Sequence, residues 1–328
     1  MTDEEDVTAQ LLRLAGAPPD PPAERIARVR EAVHREWLAG RRRRVMRRGA
    51  AIALFGVAAS LALVVWMNRT HSMPLPSNRV VAIGQRIQGQ PLILRQSRHP
   101  AASQPLTVSS PVYPGDLIQT DDLSRAALVA TDGSSVRIDR SSRVRILTPA
   151  AIEVVAGAAY VATSKGSHGF EVRTAMGIVR DRGTQFEVRL TGSSLRVRVR
   201  SGAVEVGRGA SITTAEAGTE AMVTSTGIAV RGVPTYGADW AWTSHLAPAY
   251  GIEGRSLGAC LDHLAGEEGW TLRYADVAVA EAAGRTILHG SVEGLQAEQA
   301  LEVALATSGL QYRLRDGELL VSRAADAR

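Results

Sequence analysis

The pentapeptide Gly254-Arg255-Ser256-Leu257-Gly258 could in principle carry out chemistry, because it fits the G-x-S-x-G pattern of a nucleophile elbow. Such an elbow needs a large parallel sheet around the serine, with an aspartate and a histidine farther along the chain. His263 and His289 are present, but a region of about 75 residues is too small to hold that sheet. Ser256 is explained fully as the N-cap of a helix. We therefore predict no enzymatic activity.

Other catalytic and metal-binding patterns are absent from the sequence. There is no H-E-x-x-H motif, no phosphate-binding loop and no G-x-G-x-x-G before a helix, and the seven histidines are scattered. The single cysteine, Cys260, excludes an internal disulfide and a multi-cysteine metal site. It lies between Leu257 and Leu261 on the apolar face of a predicted helix, which favours a buried, unreactive thiol over a redox centre. The sequence predicts neither a cofactor nor a metal.

Alternating arginines form a third candidate site. Arg196, Arg198 and Arg200 alternate with valines along a predicted strand, with Arg173 and Arg189 nearby. They could form a basic strip for an anionic partner; the alternative is an ordinary solvated strand face. The formal net charge of +5 is small for 328 residues and does not indicate a nucleic-acid binder.

An uncharged, apolar run at residues 49–67 divides the chain. As a helix it would be about 30 Å long, which matches the hydrocarbon core of a bilayer. A cluster of arginines precedes it, and by the positive-inside rule these set its topology: Arg41, Arg42, Arg43, Arg44, Arg47 and Arg48. The sequence therefore predicts one uncleaved membrane helix, with residues 1–48 in the cytoplasm and the rest across the membrane.

The predicted cytoplasmic tail carries one narrow apolar stripe. Ile26, Val29, Val33 and Trp37 recur at helical spacing between charged side chains such as Arg28 and Arg35. A stripe with no domain to cover it could bind a partner. The alternative is a helix that continues into the membrane span and lies along the membrane surface.

The whole chain of 328 residues has 45% hydrophobic residues, a fraction typical of globular proteins. Its length allows about two domains. Residues 80–232 alternate in hydrophobicity between glycine turns, which predicts an antiparallel all-β domain of about a dozen strands, stacked or rolled as a sandwich. The junction at 233–249 contains Trp240 and Trp242, which we expect to pack the two distal domains together; a ligand platform is the alternative.

The last region predicts a small α+β domain. A helix starts after Ser256 and ends at Gly266 or Gly269, and a second runs from 296 to 308. Strands are expected at 271–274 and 286–292, followed by a hairpin across Asp316-Gly317, so that a strand–helix–strand motif occurs twice. The predicted organisation is a cytoplasmic helical tail at 1–48, a transmembrane helix at 49–67, a linker at 68–79, an all-β domain at 80–232, a junction at 233–249, an α+β domain at 250–323 and a tail at 324–328.

These features together resemble the FecR-like (ferric-citrate regulator) family of transmembrane sigma-factor regulators. The residues that carry the resemblance form an F-x-V-x-T … G-T-x-F-x-V … G-x-V-x-V series. They are Phe170, Val172, Thr174, Gly177, Gly183, Thr184, Phe186, Val188 and Gly202. Residues 250–323 are similar to the short N-terminal (STN) domain of secretins and TonB-dependent transporters, over 252–264, 269–274 and 300–310.

The resemblance implies a function as well as a fold. It implies a mainly β protein in the bacterial inner membrane, with a cytoplasmic N-terminus and a periplasmic C-terminus, that acts as an anti-sigma-factor-like relay. Its partners would be an extracytoplasmic-function sigma factor on one side, and a TonB-dependent outer-membrane transducer or other envelope protein on the other. This tail is short and has one tryptophan, unlike the longer tryptophan-rich tails of better-known members. The alternative function is a membrane-anchored periplasmic scaffold or ligand-binding protein that makes no sigma-factor contact.

Overall fold

The computed structural model describes Glu24 and residues 79–95, 102–164 and 169–324. Contacts divide the chain into two compact units, residues 1–74 and residues 75–328. The predicted membrane helix at 49–67 and the apolar stripe of the tail lie outside the described residues. Among the described residues, no helix is both long and apolar enough to cross a membrane.

The larger part of the second unit is all β within its described residues. The strands are β1 Ala82–Gln88, β2 Leu92–Arg95, β3 Ala102–Pro105, β4 Pro111–Val112, β5 Leu117–Gln119, β6 Arg125–Ala130, β7 Ser135–Ile138, β8 Arg143–Thr148, β9 Ala151–Ala162, β10 Glu171–Thr174, β11 Gly177–Asp181, β12 Gln185–Thr191, β13 Ser194–Ser201, β14 Ala203–Arg208, β15 Ser211–Glu216, β16 Thr219–Thr224 and β17 Gly227–Gly232. These 17 strands exceed the predicted dozen, because the short strands β2 to β5 have too few residues to show alternation.

Two sheets share the long strand β9. Sheet 1 has the order β4-β1-β6-β7-β9-β12-β13-β16-β17, and sheet 2 the order β3-β2-β5-β8-β9-β10-β11-β14-β15. The pairing is antiparallel as predicted, except that β9 and β10 run parallel. The strand changes sheets at Gly157, where φ is +78° and an added Cβ would lie 2.3 Å from Ser142 Oγ.

One hydrophobic core fills the space between the two sheets. Phe186, Val197 and Val223 from sheet 1 belong to the same buried cluster as Val172 and Val204 from sheet 2. Alternation with period two puts such residues on the inner face of each strand. Each fully buried side chain of this kind contributes about 1.5–3 kcal/mol to stability. The sequence prediction of a mainly β domain with a sandwiched core is confirmed.

Within the described part of residues 75–328, the helices lie after residue 237. The elements are a 3₁₀-helix Ala238–Trp240, α1 Ala241–Ser244, α2 Leu257–Glu268, β18 Thr271–Tyr274, α3 Val277–Arg285, α4 Ala297–Leu305, β19 Leu310–Arg315 and β20 Glu318–Arg323. The three strands form a separate sheet of order β18-β20-β19, in which β18 and β20 are parallel. Helix α2 contacts α3, α4 and β18, so the helices cover one face of this sheet.

One predicted element of this region is wrong. Residues 286–292 were expected to form a strand, but they form only an isolated bridge between Ile287 and Ser256. Helix α3 precedes them instead, and Asp276 caps it by accepting a 2.8 Å hydrogen bond from Val279 N. The strand–helix–strand motif therefore does not occur twice. The β-branched Thr286 and Ile287 suggested a strand, yet no neighbouring strand is placed to pair with them beyond that bridge.

The predicted start and end of the first helix in this region are confirmed. Ser256 Oγ accepts a 3.2 Å hydrogen bond from Ala259 N and caps α2, and Gly269 ends that helix with φ +73°. Cys260 is buried in the second core cluster, and burial raises the pKa of its thiol to about 11. At that pKa the reactive thiolate is scarce at neutral pH. Within the G-x-S-x-G pattern, Ser256 is thus the N-cap of α2, and Leu257 and Gly258 belong to its first turn.

Candidate functional site

The motif residues that carried the family resemblance are structural. Phe170, Val172, Phe186 and Val188 are all buried in the sandwich core. Thr174 closes the β10–β11 turn, where its Oγ1 accepts a 3.1 Å hydrogen bond from the backbone N–H of Gly177.

The glycine turns pack tightly against one another. Gly202 has φ +77°, and an added Cβ would lie 2.4 Å from the carbonyl oxygen of Gly183. The buried Thr184 donates a side-chain hydrogen bond to Asp181 beside this contact. Position 202 therefore requires glycine, because its backbone touches the turn at 181–184.

Substitution of Gly202 by alanine tests this contact. We expect Gly202→Ala to lower the free energy of unfolding by about 1–3 kcal/mol, because a non-glycine residue at positive φ is strained and the backbone must also move. Gly192→Ala is the matched control: Gly192 also has positive φ, but nothing lies within 4 Å of its added Cβ. Chemical unfolding of both variants measures the difference; equal losses would contradict the role of the Gly183 contact.

A ladder of ion pairs runs across the outer face of sheet 1. Asp139 bonds Arg125 at 2.9 Å and Arg189 at 2.7 Å. Arg189 also bonds Glu187 at 2.8 Å, and Glu187 bonds Arg196 at 3.1 Å. Burial by itself would raise the pKa of Asp139, but the hydrogen bonds from the two arginines hold that pKa below its usual value. The Asp139 carboxylate is therefore charged at neutral pH.

The same ladder continues to the edge of the sheet. Glu220, 1% exposed, bonds Arg198 at 2.6 Å and Arg231 at 2.7 Å, and Arg198 bonds Asp239 of the junction at 2.7 Å. Both readings of the arginines at 196, 198 and 200 are thus wrong, since these side chains form neither a basic strip nor a solvated face. Carboxylates from neighbouring strands neutralise Arg196 and Arg198.

Arg137 is completely buried at the end of this face, where the junction and the last region meet the sandwich. Its Nη1 donates a 2.8 Å hydrogen bond to the carbonyl oxygen of Thr243, and its Nη2 lies 2.8 Å from Glu267 Oε2 on α2. Its guanidinium carbon sits 5.0 Å from the centre of the Tyr160 ring. One arginine on β7 therefore binds both the junction and the last region.

Arg200 makes a second set of contacts beside it. Its Nε donates a 3.1 Å hydrogen bond to Thr235 O, and its Nη1 donates to the Glu267 carbonyl oxygen. Its guanidinium lies 4.5 Å from the centre of the Trp240 ring. Cation–π contacts and bonds to carbonyl oxygens compensate a buried guanidinium for the water it has lost.

Two aromatic rings complete this cluster. Tyr160 and Trp240 meet edge to face, with ring centres 6.2 Å apart, and Trp240 Nε1 donates a 3.0 Å hydrogen bond to Pro234 O. Trp242 and Leu246 are buried in the same cluster. The junction tryptophans thus pack against the sandwich, and Arg137 and Arg200 connect this cluster to α2 of the last region. We call Arg137, Arg200, Tyr160, Trp240 and Glu267 the clamp.

A groove of about 380 Å³ lies beside the clamp, between β1, the junction, α2 and α4. On its wall the rings of Tyr250 and His263 stack with centres 3.9 Å apart, and Arg255 lies 5.1 Å from the Tyr250 ring centre. Burial lowers the pKa of His263. The negative charge of Glu267 raises that pKa, whereas the positive charges of Arg137 and Arg255 lower it further. The groove therefore holds a neutral imidazole at neutral pH.

The lowered pKa of His263 predicts a pH dependence of stability. The unfolded chain binds a proton near the ordinary pKa of 6.5 and the folded protein only at lower pH, so the stabilisation is complete above 6.5 and falls as the pH drops below it. We expect the free energy of unfolding to decline less between pH 7.5 and 5.5 in His263→Gln than in the native protein. A His263→Gln curve parallel to the native one would refute the assignment.

The described residues contain no group of three or more histidine, cysteine, aspartate or glutamate side chains that could hold a metal ion. Three features of the described residues are the candidate sites: the clamp, the groove and the β19 edge of the last sheet. Sequence reasoning missed Arg137 and Glu267. They are 130 residues apart, and neither lies in a pattern that marks it.

Comparison with known proteins bears on the sandwich. Residues 116–205 match the model of the family described as FecR protein. This part of the sandwich is therefore similar to the FecR family. The match runs from the residue before β5 into β14 and includes every motif residue on which the resemblance was based. No curated protein matches the chain.

Two solved structures are similar to the chain. Both are described as a "putative anti-sigma factor" from Parabacteroides distasonis, with 18% and 19% sequence identity. Each match covers 64% of this chain and 99% of the other, with TM-scores of 0.35 and 0.34.

Proposed function

We propose that this protein is a single-pass inner-membrane regulator that passes a signal from the periplasm to an extracytoplasmic-function sigma factor by protein–protein contacts. The FecR domain at 116–205 is the observation that carries the proposal. The apolar run at 49–67 and its preceding arginines support a cytoplasmic tail and a periplasmic FecR domain. The stripe Ile26, Val29, Val33 and Trp37 would contact the sigma factor.

The clamp supports a relay because it joins two distal parts that could otherwise move independently. Buried, bonded arginines hold β7 and β13 of the sandwich to α2 of the last region. A partner bound to the last region therefore acts on the sandwich as well. We assign residues 80–232 to the periplasmic FecR-like domain and 250–323 to an STN-like domain that contacts an outer-membrane transducer or other envelope protein.

The groove supports a second candidate function. A cavity of about 380 Å³ with stacked rings on its wall could hold a small ligand, as in a membrane-anchored ligand-binding protein or scaffold with no sigma-factor contact. Under this function the tail would serve only to anchor the protein.

Recovery of partners from host lysate distinguishes the two functions. The full chain in detergent is immobilised, and captured proteins are identified by mass spectrometry. We expect the native chain to recover a sigma factor and Val33→Asp/Trp37→Asp to lose it, whereas the polar-face control Arg28→Gln/Arg35→Gln should keep it. Absence of a sigma factor from all three would favour the anchored ligand-binding protein.

A further inference from the structure

The strand β19 leaves one edge of the last sheet open. Among the described residues it pairs only with β20, from Leu310↔Arg323 to Arg315↔Glu318. The hairpin turn has two residues, so Arg315 and Glu318 are a hydrogen-bonded pair and the pattern alternates along the strand. The backbone groups of Tyr312 and Leu314 therefore point away from β20. An edge of this kind is a template for another strand.

The sheet face beside this edge is basic and exposed. Arg313 and Arg315 alternate on β19, and Arg273 on β18 lies in the same cross-strand row as Arg313. Glu318 is engaged by Arg273 at 3.0 Å. Arg313 has no carboxylate within ion-pair distance among the described residues, and Arg315 reaches only Asp316, at 3.7 Å with both side chains over 80% exposed.

This charge arrangement contrasts with the ladder on sheet 1. There, each of Arg189, Arg196 and Arg198 bonds a carboxylate from its own or a neighbouring strand. The arginines on β19 have no such carboxylate on their open side, because no strand among the described residues pairs with that edge. A second copy of β19 fits the position poorly, since antiparallel self-pairing centred on Arg313 or Leu314 would bring arginines against arginines.

We propose that β19 pairs with an extended segment of the envelope partner that carries carboxylates at alternate positions. The proposal rests on the proposed function only in naming an envelope protein as the source of that segment. Main-chain bonds to Tyr312 and Leu314 give affinity, and carboxylates opposite Arg313 and Arg315 give specificity. Cross-strand side chains lie about 4.5–5.5 Å apart, within ion-pair reach for arginine. The intervening partner residue faces the helical side and is apolar.

Binding of two synthetic peptides tests the proposal. The probe is a fluorescent peptide of alternating glutamate and valine, and its counterpart has lysine in place of glutamate. Anisotropy is measured with the full chain in detergent micelles at low salt, where charge effects are largest. We expect the glutamate peptide to bind and the lysine peptide not to bind. Failure of the glutamate peptide to bind, or equal binding of both, overturns the proposal.

Charge reversal locates the binding site. Arg313→Glu/Arg315→Glu should weaken binding of the glutamate peptide by at least about tenfold and allow the lysine peptide to bind. Arg140→Glu/Arg143→Glu changes the net charge equally at exposed positions remote in sequence, and should bind as the native chain does. Unchanged binding by the first variant overturns the proposal.

Blocking the edge separates strand pairing from simple charge attraction. Leu314→Pro removes a backbone N–H that points to the open edge and leaves the ladder to β20 complete, as proline is tolerated on edge strands. It should abolish peptide binding while circular dichroism stays native; if it unfolds, the charge reversal still decides. The tail variant Val33→Asp/Trp37→Asp should bind the peptide as the native chain does. Loss of peptide binding would therefore contradict the β19 proposal, whereas loss of sigma-factor recovery concerns only the proposed function.

Discussion

Replacement of Arg137 by methionine is expected to lower the free energy of unfolding by about 3 kcal/mol, because removal of one partner of a buried ion pair leaves the other charge uncompensated. The Arg137 side chain is 0% exposed and that of Glu267 is 14% exposed. The carbonyl oxygen of Thr243 also loses its donor. Chemical unfolding followed by tryptophan fluorescence measures the loss.

Two further variants show where that loss originates. Arg180→Met removes an ion pair to Glu171 in which the arginine is 52% exposed, so it should cost less than about 1 kcal/mol. The double variant Arg137→Met/Glu267→Met should recover part of the stability, because no unpaired carboxylate remains. A loss for Arg137→Met no larger than that for Arg180→Met would show that the buried ion pair of the clamp stabilises the fold no more than an exposed one.

Truncation of Trp240 to alanine should cost about 3–5 kcal/mol, as is typical when a large buried aromatic side chain is removed. Trp240 is 2% exposed and packs on Tyr160 and Arg200. The guanidinium of Arg200 would lose its aromatic partner, so the effect should reach beyond the cavity itself.

The position of the damage distinguishes this variant from a general loss of packing. Phe186→Ala, in the sandwich core, should lower global stability by a similar amount without opening the junction. Hydrogen exchange should therefore accelerate selectively at residues 235–246 in Trp240→Ala and not in Phe186→Ala. Equal exchange in the two variants would contradict a clamp that holds the two distal parts together.

Much of the fold could be predicted because its signals are local. Val197 and Val199 alternate with arginines, which is sufficient to predict a strand with one buried face. The N-cap at Ser256 and the turn at Asp316-Gly317 depend on residues at most three positions apart. Helix α3 was not predicted, although Asp276 is an equally local signal for its N-terminus.

The candidate site could not be predicted in the same way. Nothing near Arg137 in the chain indicates that Glu267 will neutralise it, because their contact depends on how two separately formed parts meet. The same holds within one strand: Arg196, Arg198 and Arg200 have the same spacing and residue type, yet two join the ladder and the third joins the clamp.

The amino-acid sequence by itself determined the positions of the longer strands, their turns and the cap at Ser256, since these follow from backbone preferences and hydrophobic period within a few residues. It also carries the FecR-like motif, which consists of turn glycines and core side chains. Only the tertiary structure decided which arginines are neutralised by carboxylates of neighbouring strands and that those on β19 are not. Charge pairing depends on strand order and on contacts between distant segments, and a carboxylate compensates an arginine only where the fold places it within bonding distance.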